Sequence, residues 1–427
     1  MKIHIKSGRL IDPRHGVDAQ RDVYIAAGKI VAIGEAPAGF SANRVIDAAG
    51  RVVCPGLVDL AVRLREPGYE YLATLETEMR AAIAGGVTSL ACPPDTDPPL
   101  DEPGLVEMLK FSARNLNQAH LYPVGALTAG LKGKNLTEMA ELRDAGCVAF
   151  SQAEAPFADT QVLMNALQYA ATFGIPVWLR AQDPALARHG VAHEGEVATR
   201  LGLPAIPVMA ETVALSTILL IARETGARIH IARISSAEAV AMVRDAKARG
   251  LPVTCDIGVH HLHLSEMDIG YFDPNCNLTP PLRSQRDRDA LRGGLADGSI
   301  DALCSDHTPV DEDAKQLPFS EAEPGATGVE LLLPLTLKWA AEEKRPLAAA
   351  IERITVKPAA ILGIDAGHLG VGASADVCIF DPGCDWRIEP SALFSLGKNT
   401  PFSGYEMRGR VTHTLVSGNL VYEKKSN

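Results

Sequence analysis

A (β/α)8 barrel flanked by a small β-sandwich is the fold this sequence predicts. Between residues 56 and 365, strand-like apolar runs alternate with amphipathic helical runs, the pattern of parallel βα units. Eight such strand runs occur, as an eight-stranded barrel requires. Residues 1–55 and 366–427 read instead as short alternating strands broken by glycine turns. Neither end carries enough apolar surface to fold alone, so the two are expected to combine into one sandwich.

Taken in order, the N-terminal strands are Lys2 to Leu10, Asp22 to Ala26, Lys29 to Ile33, Arg44 to Asp47 and Val52 to Val53, with a hairpin turn at Ala27-Gly28-Lys29. The barrel strands are Gly56–Leu64, Val87–Pro93, His120–Ala126, Val148–Gln152, Ile175–Ala181, Arg228–Ser235, Leu251–Gly258 and Ile300–Asp306. Helical periodicity marks Leu72–Ala84, Glu102–Asn115, Leu163–Thr172, Val208–Thr225, Ala237–Arg249 and Arg286–Leu295. Asp376 to Asp381, Val411 to Val416 and Leu420 to Tyr422 supply the C-terminal strands. A doubly wound open sheet is the alternative, but no Gly-x-Gly-x-x-Gly turn follows any strand.

The chain has 427 residues, 47% of them hydrophobic and 22% charged, the balance of a soluble globular protein. A net charge of −11 argues against a nucleic-acid or anionic-membrane partner. Met1 to Lys6 enters strand alternation at once, and no apolar run is long enough to span a bilayer. The eight cysteines are scattered and form no Cys-x-x-Cys pair, which points to reduced core thiols in a cytoplasmic protein.

The chemistry concentrates where the first barrel strand breaks at Glu66-Pro67-Gly68. Strand alternation puts Asp59, Ala61, Arg63 and Arg65 on one face. This stretch resembles the first barrel strand of the cyclic amidohydrolases, and Leu64-Arg65-Glu66-Pro67-Gly68 resembles dihydroorotase in particular. The resemblance extends over nearly the whole chain. It implies zinc ligands at 61 and 63, where the family has His-x-His and this chain has Ala61 and Arg63. Further ligand positions fall on Gln152 and Ala153 after the fourth strand, Arg180 after the fifth and Arg233 after the sixth. A methyl group has no lone pair, and a protonated guanidinium cannot donate to a cation. Glu154 lies nearby but is displaced by two places.

Other family positions survive. Asp306, in Ser305-Asp306-His307-Thr308-Pro309, matches the acid/base carboxylate, and Arg65 matches the arginine that holds a substrate carboxylate. Asp95 replaces a substrate-binding asparagine and would repel an anionic substrate, while Thr279 replaces another. Arg63, Arg180 and Arg233 are expected to converge near Asp306 and to stand in for a metal's positive charge.

The resemblance then implies a dihydroorotase-like protein of pyrimidine biosynthesis that is not an enzyme, has no metal or other cofactor, and self-associates. Its partner would be the catalytic chain of aspartate carbamoyltransferase, for which it would act as a structural subunit. Two other readings stay open. One is an active cyclic amidohydrolase with a rebuilt site around Asp306, His307 and His261. The other is an anion-binding sensor using Arg63, Arg65, Arg180 and Arg233.

Overall fold

The structure, a computed structural model, describes residues 1–157 and 159–425. Its barrel strands are Leu57–Asp59, Val87–Cys92, His120–Ala126, Ala149–Ser151, Val177–Leu179, Ile229–Ile231, Val253–Gly258 and Ala302–Cys304, each hydrogen-bonded in parallel to the next. No ladder joins the first strand to the eighth. The ring closes at the mouth through a parallel bridge between Val62 and His307. Arg63 N donates to His307 O at 2.9 Å, and His307 N donates to Ala61 O at 3.0 Å.

The first strand stops at Asp59 rather than running on to Leu64. Its own carboxylate ends it: Asp59 Oδ1 accepts from Ala61 N at 3.3 Å and from Ser305 N at 3.0 Å. Beyond it the chain is an irregular arm lining the mouth. Helix Val208–Thr225 has the bounds its periodicity predicts, ending at Gly226 with φ 69°. Helix Thr160–Phe173 starts three residues earlier than its apolar pattern, because the Asp159 side chain caps it by accepting from Gln161 N.

Inside the barrel, Val58, Val124, Trp178 and Cys304 form one buried cluster with the small residues Ala91, Ala149 and Ala302. The alanines leave room for the Trp178 indole, which tilts against the His230 ring with centroids 5.1 Å apart. Ala359, Ile361 and Leu362, from helix Val356–Leu362, join the same cluster.

Both termini contribute to the flanking sheets. Lys2–Lys6, Val23–Ala26, Lys29–Ile33 and Arg44–Asp47 make a four-stranded sheet. Arg9–Asp12, Val17–Gln20 and Val52–Pro55 join Val377–Arg387, Glu406–Val416 and Asn419–Glu423 in a six-stranded one. Ile3, Ile5, Leu10 and Ile25 pack with Val377, Ile379 and Leu415 between them. The expected single strand from Lys2 to Leu10 is in fact two. Ser7 turns the chain at φ 62°, its N–H held by Asp22 Oδ1 at 2.9 Å, and the chain crosses to the other sheet. Gly8 is required there, since a Cβ would lie 2.5 Å from Val53 Cγ2. Strand Val17–Gln20 escaped the sequence reading because three of its four residues are exposed and carry no apolar alternation.

All eight cysteines are free thiols; seven are buried and Cys384 is half-buried. Among the described residues no helix is long and apolar enough to cross a membrane. Trp178→Ala should leave a cavity inside the barrel and cost about 3–5 kcal/mol, read as a lowered urea midpoint at unchanged slope.

Candidate functional site

The C-terminal ends of the strands carry an ion-pair lattice. Arg63 reaches in from the arm after the first strand. Its Nε donates to Asp95 Oδ2 at 2.8 Å, its Nη1 to Thr308 Oγ1 at 2.9 Å and its Nη2 to Glu154 Oε1 at 3.0 Å. Arg233, after the sixth strand, donates through Nη1 to Asp306 Oδ1 at 2.7 Å and through Nη2 to Glu154 Oε1. Arg180, after the fifth, donates to Glu154 Oε2 and to Gln182 Oε1. Arg63 Nη1 also stands 3.5 Å from Asp306 Oδ1. Three guanidinium groups therefore face three carboxylates, Glu154, Asp95 and Asp306.

The three arginines converge beside Asp306 as expected, Arg233 and Arg63 at its carboxylate and Arg180 at Glu154 and Gln182. Glu154, set aside in the sequence because of its two-residue displacement, is the carboxylate on which all three arginines meet. The turn after the fourth strand brings it there: Ser151 Oγ accepts from Ala153 N at 3.0 Å, and Ala153 takes φ 50°. Arg65, Arg233 and Asp306 are also left-handed, at φ 62°, 55° and 47°. Such conformations cost non-glycine residues about 1–2 kcal/mol each, and here they sit at the ends of the first, fourth, sixth and eighth strands. Fixed partners hold them; Arg233 N, for example, donates to Asp256 Oδ1 at 2.6 Å.

Electrostatics follow the geometry. Burial alone would push the Glu154 carboxyl up, but Arg233, Arg180 and Arg63 outweigh it and hold the group well below the usual carboxylate range. Burial likewise opposes the charge of Asp306, and Arg233 and Arg63 overcome it, so its pKa is lowered. Burial and the nearby Arg63 lower Arg65. Arg65 turns toward the loop after the eighth strand, its Nε donating to Pro309 O at 2.9 Å and its Nη2 lying 3.5 Å from Glu323 Oε1. Asp95, expected as a repulsive charge, is neutralised by Arg63.

The residues present do not fit the dinuclear zinc that the family resemblance implies. Of the ligand positions, Ala61, Arg63, Arg180 and Arg233 have no lone pair to give, and Gln152 Oε1 already accepts from Thr128 Oγ1 at 2.9 Å. Among the described residues no group of three or more His, Cys, Asp or Glu side chains is placed to hold a metal ion. Of the alternative trio of Asp306, His307 and His261, His307 is committed elsewhere. His307 accepts from Gly328 N at Nδ1 and so donates from Nε2 to Glu78, 2.7 Å away. His261 Nε2 lies 3.1 Å from Pro280 O.

Comparison with known proteins agrees with the barrel. Residues 181–422 match the amidohydrolase family model, and residues 50–239 match the model described as dihydro-orotase-like. The L-hydantoinase (dihydropyrimidinase) of Arthrobacter aurescens superposes with a TM-score of 0.89 at 27% identity, covering 99% of this chain and 96% of that one. Fold and family model together define an amidohydrolase. A Pseudomonas aeruginosa "dihydroorotase-like protein" is 46% identical over 423 residues, 99% of this chain and 100% of its own. A Geobacter protein named dihydroorotase is 42% identical over 423 residues with the same coverage. This chain belongs to the dihydroorotase-like family. The expectation that it is not an enzyme is overturned by these findings: end-to-end relatives are named dihydroorotase, and the solved neighbours are hydantoinases. That expectation rested chiefly on the missing zinc donors, Ala61, Arg63, Gln152, Arg180 and Arg233.

Glu154→Gln should cost about 2 kcal/mol, less than the ~3–5 kcal/mol of a fully buried pair, because the Glu154 side chain is 32% exposed. The lowered folded pKa values of Glu154 and Asp306 add stability above the unfolded values of about 4, lost as pH falls through the folded ones. Urea midpoints should therefore fall as the pH drops below about 4, and more shallowly in Glu154→Gln.

Proposed function

We propose that this chain serves pyrimidine biosynthesis in the cytoplasm as an assembly partner of the aspartate carbamoyltransferase catalytic chain. The observation that supports this reading is the ion-pair lattice. Arg63, Arg180 and Arg233 tie the ends of the first, fourth, fifth, sixth and eighth strands together through Glu154 and Asp306. A cross-braced, charge-balanced mouth holds its surrounding loops in place, as a stable docking surface requires. The free thiols suit a reducing compartment. Self-association belongs to the same reading, and the exposed stripe of Met209, Val213 and Leu220 on helix Val208–Thr225 supports it. The chain should co-purify with aspartate carbamoyltransferase from its own cell, and deleting it should reduce that enzyme's assembled size and activity. A fully assembled, fully active transferase in its absence would refute the proposal.

A second reading, a cyclic amidohydrolase acting at this mouth, is favoured by the end-to-end relatives named dihydroorotase. On it, Asp306 is the proton-handling carboxylate, kept ionised by Arg233, and Arg65 holds a substrate carboxylate. Both roles can coexist in one chain. Ring closure of carbamoyl aspartate by the purified protein, with its metal content measured alongside, tests it. Turnover lost in Asp306→Asn protein that is still folded at the assay temperature, with a lowered thermal midpoint from the broken Arg233 pair, is the expected result, and turnover equal in both proteins would remove Asp306 from the reaction.

A further inference from the structure

A cavity of about 220 Å3 lies where the C-terminal tail packs against the barrel, and it shares no residue with the ion-pair lattice. The barrel side supplies Glu330 and Pro334. The tail supplies Trp386 of strand Val377–Arg387, Phe394, Arg410 of strand Glu406–Val416 and Tyr422 of strand Asn419–Glu423. Three aromatic side chains thus wall it. Phe394 and Tyr422 meet edge to face, with centroids 5.9 Å apart at 89°.

Two opposite charges line this cavity, and among the described residues neither is ion-paired. Half-buried Glu330 accepts at Oε1 from Ser395 N at 3.0 Å and has no cation within ion-pair reach. Burial pushes its carboxyl up to about 7. Arg410 lies over the Trp386 ring, 4.8 Å from its centroid, a contact that leaves the edge of the guanidinium free to donate. Tyr422 stands near both charges: burial raises its hydroxyl most, and Glu330 and Arg410 act on it in opposite directions. The other charged pair of the lining, Arg387 and Glu389, is exposed and faces itself at 3.8 Å. A ligand with one charge would leave either Glu330 or Arg410 unmatched, whereas a zwitterion matches both. The volume is below the roughly 300–1,000 Å3 of drug-sized ligand pockets, so the ligand is small, and the aromatic walls favour an apolar body.

We propose that this cavity binds a small zwitterionic amino acid with an apolar side chain, its ammonium at Glu330, its carboxylate at Arg410 and its side chain against Trp386, Phe394 and Tyr422. The site is independent of the assembly reading. L-Leucine is the probe, titrated calorimetrically into the full chain. Saturable binding is expected, with 3-methylbutylamine, which lacks the carboxylate, and 4-methylpentanoate, which lacks the ammonium, each at least about tenfold weaker. Glu330→Gln keeps an oxygen for Ser395 N and should weaken leucine about tenfold by removing the charge. Ala392→Trp, at the exposed rim of the cavity, should abolish binding while thermal unfolding stays close to that of the parent. Should Glu330→Gln fail to fold, Ala392→Trp reads the same site. Absence of saturable binding, either analogue binding as tightly as leucine, or leucine binding unchanged in either folded variant would each overturn the proposal.

Discussion

Glu154 lies among three guanidinium groups, and the barrel mouth depends on that placement. Two like charges about 4 Å apart repel by roughly 4 kcal/mol at an effective dielectric of 20. Arg63, Arg180 and Arg233 brought to one mouth would push the strand ends apart without an acid between them. Glu154 accepts from all three, and Asp95 and Asp306 take up further guanidinium donors. The left-handed backbone at Ala153, Arg233 and Asp306 belongs with the same arrangement. Local strain of that size persists only where surrounding contacts over-determine the conformation.

The fold was legible because its signals are repeated. Eight apolar runs alternating with helical periods leave few topologies, and both the helix at 208–225 and the strand at 120–126 have the bounds their sequences imply. What the sequence hid were effects made by single side chains: the Asp59 carboxylate that ends the first strand, and the Ser7 and Gly8 crossing between sheets. The site was half legible. Arginine at three ligand positions announced the loss of zinc donors, and charge balance announced that acids must meet them. Which acids could not be read from register, because Glu154 reaches the centre through a left-handed turn at Ala153 that strand alternation does not describe.

Family membership and site chemistry answer different questions in this molecule. The end-to-end relatives and the hydantoinase superposition speak for the scaffold and its lineage. The donor atoms at the mouth speak for what can bind there, and they are guanidinium groups where the family resemblance implies imidazoles. A barrel of this kind keeps its reactive ends on loops supported by buried strands, so the ends can be rewritten while the layers of Val58, Ala91 and Trp178 beneath them stay packed.

The first and eighth strands of the ring share no ladder; they meet through Val62, Ala61 and His307 and through the Asp59–Ser305 bond, and His307 is gripped in turn by Glu78 and the Gly328 amide. Glu78 also accepts from Ser395 Oγ and from Leu396 N, both contributed by the C-terminal tail. The clasp of the cylinder is thus bolted from outside by residues that follow all eight barrel strands in the chain, and a nascent barrel would stay unlatched until they had emerged.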